Sequence, residues 1–488
     1  MANKHGVFIQ EEATALTVPQ ESSQVLVVVG CAPVNVTEDP KVNEPVLTNS
    51  AAEAISELGY ISDFASYGLC AAMSVTKSLY PIKPVVYINV LDPARHKKAL
   101  AEATYAVTDL QATVGKTGVL KAGLVVKYEQ TVEGESTDVT AEEGTDYTLS
   151  FDFNGYLVVT LITGRPIAEA SSIKVSGFQL DPTAVTKDDI IGSVDVNTGK
   201  ETGMEVIRQI YPKFGVVPSL LIAPYWSQVP EVGIALSAKA ANINGVFKAM
   251  AYVDVDTTQA RKYTDVKQVK EASGFTSEFC VPCWPEVLVG ETVLPYSVVA
   301  AARTVYYDAE HDDVPSKSPS NITLSITGTC LADGTEVILD QDQATTVGEY
   351  GVMTAVNLNG FKMWGNHTAA YPGSGDAKDI WISVRRMFNW QGNTFIKTYF
   401  SKVDQPMNRL LIENIVDSEN IRCGAYVPEH WAGASIEYLE EDNPATDIIA
   451  GKITFRQRIA PYTPAETILN ILSYDLDTLQ ASLVGGEG

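Results

Sequence analysis

Four short runs of mainly apolar residues constrain the fold of this chain more than any other feature of its sequence. They cover residues 25–29, 85–90, 216–223 and 247–255. A strand without regular apolar–polar alternation is typical of a sheet that is covered on both faces. A helix pattern that begins at Pro230 separates the third and fourth runs. This strand–helix–strand order predicts a parallel sheet with a right-handed crossover, and hence an α/β fold.

Between residues 113 and 187 the pattern changes to short β-rich segments separated by glycine, aspartate and threonine turns. This change predicts a small β domain inserted into the α/β domain. A chain of 488 residues has room for about three domains. The predicted boundaries are an N-terminal arm (1–20), a first core part (21–112), the inserted β domain (113–187), a second core part (188–355), a C-terminal domain (356–460) and a C-terminal arm (461–488).

Local signals predict several further elements. Ser50 and Glu53 have the spacing of a capping box, which predicts a helix that ends near Gly59. In the C-terminal third, we interpret residues 379–384 as a strand and residues 407–416 as a helix.

Both chain ends carry a short apolar segment. The N-terminal segment contains Val7, Phe8 and Ile9. The C-terminal apolar segment spans residues 467–474, beyond Pro461 and Pro464, and its apolar residues include Ile468, Leu469, Ile471 and Leu472. Terminal strands commonly pair within their own chain when they are ordered. They also add to the sheet edge of a neighbouring subunit, where main-chain hydrogen bonds supply the affinity. The pattern alone leaves both interpretations open.

The charge of the chain bears on its partners. It carries 35 basic and 60 acidic side chains, for a formal net charge of −25. Nucleic-acid binding depends on Lys and Arg that neutralise phosphates, so we expect no nucleic-acid partner. The apolar runs are far shorter than the ~20 residues of a membrane helix, and the first residues lack the apolar core of a signal peptide. We therefore expect no membrane-spanning segment, and assembly in a cytoplasm.

Motifs that would indicate chemistry are weak. Five histidines and no Gly-x-Ser-x-Gly elbow give no pattern for a Ser-His-Asp triad, and we interpret His367 as a hydrogen-bonding residue of the core. Cys280 and Cys283 lack the second ligand pair of a zinc site and are interpreted as buried thiols. Asp254 and Asp256 follow a strand, where a helix cap is the simpler interpretation. The sequence predicts no catalytic residue, cofactor or metal.

Several motifs, in order along the chain, resemble those of one family, the tail sheath proteins of contractile bacteriophages and related contractile injection systems. The motifs are GVFIQEE (6–12), LVVVG (26–30), PKFGVVPSLLIAP (212–224), NG (244–245), VDVD (253–256), SPSN (318–321), NGFKMWGNHT (359–368), VRR (384–386) and PAE (464–466). Each is short, and their common order carries the resemblance. Residues 113–185 match least.

The resemblance implies an α/β core, described as subtilisin-like, beside an inner tube, and a variable β domain on the outside. It also implies N- and C-terminal arms that complete β-sheets in neighbouring subunits, which makes strand donation the leading interpretation of both terminal segments. Further implied partners are the tail tube protein, the baseplate and tail terminator proteins, and copies of the chain itself in hexameric rings stacked helically.

The implied function is structural and not enzymatic. The sheath would polymerise around the tail tube and contract to drive the tube through the target cell envelope. Its location would be a virion tail, or a tail-like particle such as a tailocin, assembled in the host bacterial cytoplasm. Two alternatives are a static lattice-forming protein and a hydrolase on a subtilisin-like fold. The first would normally need an export signal, and the second a histidine beside a reactive serine.

Arg385 and Arg386 form a local basic pair in this acidic chain, near Trp381, Phe388 and Trp390. The contrast in charge motivates the hypothesis that the two arginines contact the tube or a neighbouring subunit.

Overall fold

The structure is a computed structural model that describes residues 20–132 and 135–484. Its central sheet has six strands, which are β1 (Gln20–Gly30), β2 (Pro45–Thr48), β3 (Ile82–Asn89), β11 (Pro218–Ile222), β12 (Met250–Asp254) and β13 (Cys280–Cys283). They are arranged in the order β13–β12–β11–β1–β3–β2. Every neighbouring pair is parallel except β2 and β3. The predicted parallel sheet is confirmed.

Helices cover this sheet and connect its strands. They are α1 (Ala51–Leu58), α2 (Gly68–Ser74), α3 (Lys187–Ile191), α4 (Ile210–Phe214), α5 (Pro230–Ala241), α6 (Val266–Ala272) and α7 (Tyr296–Ala309). Helix α5 lies between β11 and β12 in the chain, as its start signal predicts. The side chains of β1 from Leu26 to Val29 are fully buried, because α7 and the neighbouring strands pack around them. Burial on both faces explains why these runs show no polar alternation.

The predicted cap of α1 is confirmed. Ser50 Oγ accepts a hydrogen bond from the Glu53 backbone N–H at 3.1 Å, and the Glu53 carboxylate accepts one from the Asn49 backbone N–H at 2.6 Å. Helix α1 ends at Gly59, whose φ is +74°. An added Cβ there would lie 2.6 Å from the Pro33 carbonyl oxygen, so both the backbone angle and the space favour glycine.

Seven strands between the third and fourth core strands build two further sheets. These strands are β4 (Lys97–Ala106), β5 (Gln111–Val114), β6 (Val125–Val132), β7 (Glu135–Thr140), β8 (Tyr147–Phe151), β9 (Leu157–Leu161) and β10 (Ser172–Leu180). The sheets have the orders β4–β10–β6–β7 and β5–β9–β8 and enclose an apolar cluster of their own. The sequence boundary at residue 113 leaves out β4, because most of its side chains are exposed and its ten residues show no regular apolar–polar alternation.

Short elements follow the core. They are β14 (Glu286–Val289), β15 (Thr292–Leu294), β16 (Gly328–Cys330), α8 (Gln341–Glu349), β17 (Thr354–Asn357) and β18 (Phe361–Trp364). A buried lysine fastens them to α6, since Lys270 Nζ donates to the carbonyls of Tyr350, Ala369 and Tyr371 at 2.7, 2.8 and 3.0 Å. Burial lowers the pKa of Lys270 to about 8.

The C-terminal part contains helices around a two-stranded sheet. Its elements are α9 (Ala377–Ile380), α10 (Ile382–Tyr399), α11 (Arg409–Gly424), β19 (Trp431–Glu437), α12 (Ala445–Ile449), β20 (Arg456–Pro461) and α13 (Leu476–Val484). The predicted strand at residues 379–384 is wrong, because residues 379–380 end α9 and residues 382–384 begin α10. The buried face of α10 is largely polar, which hid its helical pattern. Among the described residues, no helix is both long and apolar enough to cross a membrane.

Candidate interaction surfaces

The C-terminal apolar segment extends away from the body of the protein and is exposed. After β20 ends at Pro461, residues 462–475 form neither helix nor strand, so the strand predicted for residues 467–474 is absent within the described chain. Ile468, Leu469, Ile471 and Leu472 are 88%, 79%, 80% and 87% exposed. Contiguous apolar surface of this kind marks an interaction site in a soluble protein.

An ion pair joins the start of the C-terminal segment to the body of the protein. The Glu466 carboxylate lies 3.6 Å from Nε2 of His367, a buried residue of the core, as predicted. The imidazole stacks on the Tyr371 ring, with a centroid distance of 3.8 Å, and lies 4.7 Å from the Trp381 ring. Burial lowers the pKa of His367, and the negative charge of Glu466 partly opposes this shift. Chain beyond Glu466 is therefore positioned but not covered.

The two-stranded sheet has an edge that pairs with no other strand of the described chain. Strands β19 and β20 pair only with each other among the described residues, in an antiparallel register that joins Ala434 to Ile459 and Ile436 to Gln457. In β19 the Asn420 side chain of α11 accepts from the Ile436 N–H at 2.9 Å and donates to the Ile436 carbonyl at 3.0 Å, so this strand is partly satisfied. The outer edge of β20 is the one left open to another strand. A sheet of two strands is marginal by itself, and exposed edges are templates for pairing with another chain.

The inner face of this sheet rests on α10 and α11. Trp431 of β19 is fully buried, and its indole N–H donates to the Cys423 carbonyl at 3.1 Å. The buried Glu419 carboxylate accepts from the side chains of Gln391, at 2.6 Å, and Gln457, at 2.9 Å. These hydrogen bonds join α10 and α11 to the two-stranded sheet.

The hypothesis of a basic contact surface at Arg385 and Arg386 needs correction. Both side chains are buried. The Arg386 guanidinium binds both carboxylate oxygens of the buried Asp308, with Nη1 at 3.1 Å from Oδ1, and Arg385 pairs with Asp379. These charges are neutralised inside the chain and are not presented to a partner. The pairing stabilises the contact between α10 and α7.

The carboxyl edge of the central sheet is closed by hydrogen bonds. Asp254, at the end of β12, accepts from the Ser297 backbone N–H and hydroxyl at 2.8 and 2.6 Å and from the Ser227 hydroxyl at 2.9 Å. It therefore caps α7, a later helix than the one predicted. The Glu286 carboxyl is also buried, and burial together with the charge of Asp254 raises its pKa to about 7. Asp256 instead orders the next turn by accepting from the Thr258 N–H at 2.8 Å.

The thiols are inert by position. All six cysteines are free and buried, as predicted for Cys280 and Cys283. Burial raises the pKa of Cys280 to about 12 and that of Cys283 well above its ordinary value. Because the thiolate is the reactive form, neither residue is suited to redox or ligand chemistry.

One histidine does have a serine and an aspartate beside it. Ser316 Oγ lies 2.8 Å from His430 Nδ1, and Asp312 Oδ2 lies 3.5 Å from His430 Nε2. A catalytic triad has the serine at Nε2 and a buried carboxylate at Nδ1. The order here is reversed and Asp312 is exposed, so the geometry does not support a hydrolase. The sequence gave no signal for this cluster, because 114 residues separate Ser316 from His430.

The N-terminal residues Val7, Phe8 and Ile9 lie outside the described residues, so their role in strand donation stays a prediction. The described chain begins in β1, and residues near the start of this strand hydrogen-bond to the loop after α7. The Ser23 backbone N–H donates to the Asp313 carboxylate, and the Gln24 side chain donates to the Asp313 carbonyl at 3.4 Å.

Comparison with known proteins gives matches along most of the chain. It is 28% identical to the tail sheath protein of Burkholderia phage BcepMu over 484 residues, which cover 95% of each chain. It is 25% identical to the tail sheath protein of Escherichia phage P2 over 295 residues, or 58% of this chain and 70% of that one. No protein-family model matches the chain.

Solved structures show the fold. One chain in the cryo-EM structure of the anti-feeding prophage baseplate aligns with a TM-score of 0.57 and 14% identity, covering 98% of this chain and all of that one. A chain of the contracted sheath complex of the extracellular contractile injection system PVC aligns with a TM-score of 0.54 and 13% identity, covering 98% and 99%.

Proposed function

Because this chain belongs to the family of contractile tail sheath proteins, we propose that it is the repeating structural subunit of such a sheath. Many copies would polymerise around a tail tube, and the sheath would shorten to drive the tube through a target cell envelope. The similarity to the BcepMu sheath protein over 95% of both chains carries this proposal. It is strengthened by a largely exposed apolar segment and an unpaired sheet edge in the same chain.

We further propose that residues 467–474 add a strand to the β19–β20 sheet of a neighbouring subunit. The segment has no strand partner within the described part of its own chain, and the outer edge of β20 pairs with no other strand there. If the segment adds to this edge as an extended strand, its main chain hydrogen-bonds the unpaired main-chain groups of the edge. Its apolar side chains are at the same time removed from water. The anchor at Glu466 fixes where the donated strand begins.

The energy of one such contact is modest. Burial of Ile468, Leu469, Ile471 and Leu472 contributes about 2 kcal/mol for each side chain. Five or so hydrogen bonds contribute roughly 1 kcal/mol each, and ordering about seven residues costs roughly 10 kcal/mol. The net gain is about 3 kcal/mol. A contact of this size is reversible alone and becomes durable when each subunit of a lattice makes it more than once.

A mesh of such strands suits a contractile device. Donated strands persist while the rigid cores turn about the short tether between β20 and the segment, so a lattice can change length without coming apart. The stroke would then derive from the difference in subunit contacts between two lattices and would need no nucleotide. Within this arrangement we place the α/β core, as a subtilisin-like unit, toward the tube. The β sheets of residues 97–180 would form the outer inserted domain.

The proposed partners follow from this role. They are copies of the chain in hexameric rings stacked helically, the tail tube protein, the baseplate and the tail terminator. The proposed location is a virion tail or a tail-like particle, assembled in the host bacterial cytoplasm.

Electron microscopy of the purified full chain tests the function. We expect striated hollow tubes. The axial spacing between successive rings should differ between tubes assembled with the tube protein and tubes assembled without it. A chain that stays monomeric at high concentration contradicts the sheath proposal. Tubes with one fixed repeat under all conditions would favour a static lattice instead.

A further inference from the structure

Three ligand-type side chains converge beside the two-stranded sheet. Asp312 lies in the loop after α7, and Glu429 and His430 directly precede β19. One ligand atom from each lies within 4.8 Å of the others. The two carboxylates are exposed, whereas the His430 side chain is only 4% exposed. A buried imidazole therefore faces outward between two acidic groups, with Ser316 behind it. We call these four residues the His430 cluster.

His430 points to a cation as the occupant. Its Nδ1 is bonded to Ser316 Oγ at 2.8 Å, which fixes the ring. Nε2 lies 3.5 Å from Asp312 Oδ2, the length of an ion pair. With the ring proton on Nε2, Ser316 donates to Nδ1 and the Nε2–H faces Asp312; with the proton on Nδ1, the Nε2 lone pair faces the carboxylate. The second tautomer brings two electron-rich atoms together, an arrangement that a cation between them stabilises.

The spacing fits a metal ion. Zinc binds imidazole nitrogen at about 2.0–2.1 Å and carboxylate oxygen at about 2.0–2.2 Å, so two of its tetrahedral ligands lie about 3.4 Å apart. The separation between His430 Nε2 and Asp312 Oδ2 is 3.5 Å. Glu429 completes the set by a rotation of its exposed side chain. We propose that the His430 cluster binds one divalent transition-metal ion of the zinc type through Asp312, Glu429 and His430, with water in the remaining position.

Ser316 would then act as a positioning residue. Ligating histidines generally donate their other ring N–H to a neighbouring oxygen, which sets the tautomer and the ring orientation. Ser316 Oγ occupies that place at 2.8 Å. Its role differs from that of a catalytic nucleophile, because it supports the far side of the ring and faces away from the open metal position.

The ion would connect two parts of the same chain. The loop that carries Asp312 also holds the root of β1 through Asp313, and His430 precedes β19, which pairs with the strand whose edge we assign as an acceptor. Metal binding would fasten the start of the N-terminal segment to the β19–β20 sheet. The inference stands on the cluster itself, and its test does not require that the chain form a sheath.

Equilibrium dialysis of the metal-free full chain against Zn²⁺ tests the proposal. We expect one zinc per chain, with Co²⁺ giving the visible absorption of a four-coordinate site. Asp312→Asn and Glu429→Gln change exposed side chains and are compatible with folding, since asparagine tolerates the Asp312 φ of +57°. Each is expected to weaken zinc binding at least about tenfold, and Ser316→Ala about 10–100-fold.

Glu38→Gln is the matched control, since Glu38 is an exposed carboxylate remote from the cluster in the sequence, and its loss changes the net charge equally. It is expected to bind zinc as the wild-type chain does. The proposal is overturned if the wild-type chain binds less than one zinc, or if the cluster variants bind zinc as tightly as Glu38→Gln.

Discussion

Replacing both Leu469 and Ile471 by aspartate tests the donated strand directly. In an extended strand these two residues point to the same face, because side chains alternate with a period of two. They are 79% and 80% exposed in the isolated chain. Burial against a neighbour would contribute about 2 kcal/mol for each. The loss of about 4 kcal/mol exceeds the net value of about 3 kcal/mol for the whole contact, so the variant's segment should stay undocked and the contact should be lost entirely.

Loss of the whole contact, about 3 kcal/mol, corresponds to a factor of roughly one hundred. We therefore expect the critical concentration for tube assembly to rise by about that factor. Sedimentation of assembled material over a range of concentrations measures it, and negative-stain microscopy identifies what has sedimented. The folded monomer should keep its circular dichroism spectrum, since the two replaced side chains are 79% and 80% exposed in the isolated chain.

Two controls separate the strand from general effects. Phe153→Asp with Val196→Asp adds the same charge at side chains that are 96% and 95% exposed, and tubes should form normally. Exchanging the residues, as Leu469→Ile with Ile471→Leu, keeps the apolar surface and should also preserve assembly. If the double-aspartate tail assembles at the wild-type concentration, the segment is not a donated strand. If both aspartate pairs fail equally, added charge is the cause.

Three further predictions concern stability, measured by urea unfolding of the dilute chain. Arg386→Met leaves the Asp308 carboxylate buried without its cation and should cost about 3–5 kcal/mol, most of which Asp308→Leu in the same chain should restore; if the double variant is no more stable than the single one, the pair is not the cause. Lys270→Met leaves three buried carbonyls without their donor and should cost about 3 kcal/mol or more, whereas an unchanged midpoint would mean that water replaces the ammonium. The Glu286 pKa is raised from 4.5 to about 7 by burial and by Asp254, so the stability that its protonated form contributes is complete below pH 4.5 and is lost as pH rises through 7, to a total of about 3 kcal/mol. Glu286→Gln should abolish that part of the pH dependence, and parallel pH profiles for the two chains would contradict the assignment.

Sequence patterns were sufficient where burial is local and repetitive. The apolar runs of β1, β3, β11 and β12 were recognisable because a strand covered on both faces needs apolar residues at every position. The α1 cap was recognisable because its two partners are three residues apart. Strand β4 and the start of α10 were missed, since one is largely exposed and the other buries polar groups.

The sequence also identified one candidate site and misinterpreted another. Apolar character identified Ile468, Leu469, Ile471 and Leu472 as a candidate donor, although the pattern left open whether they pair within their own chain. The described structure leaves them uncovered. The basic pair at Arg385 and Arg386 was misinterpreted as a surface, because charge along the sequence does not reveal a carboxylate that folding brings to it.

What the sequence by itself determined is the set of local structures whose partners are near neighbours or whose burial repeats along a strand. Tertiary structure alone decided which distant groups meet: Arg386 with Asp308 across 78 residues, and His430 with Ser316 across 114. The physical reason is that a charged or polar side chain has nearly the same local pattern whether water or a buried partner satisfies it. Only the packed chain fixes which of the two it finds.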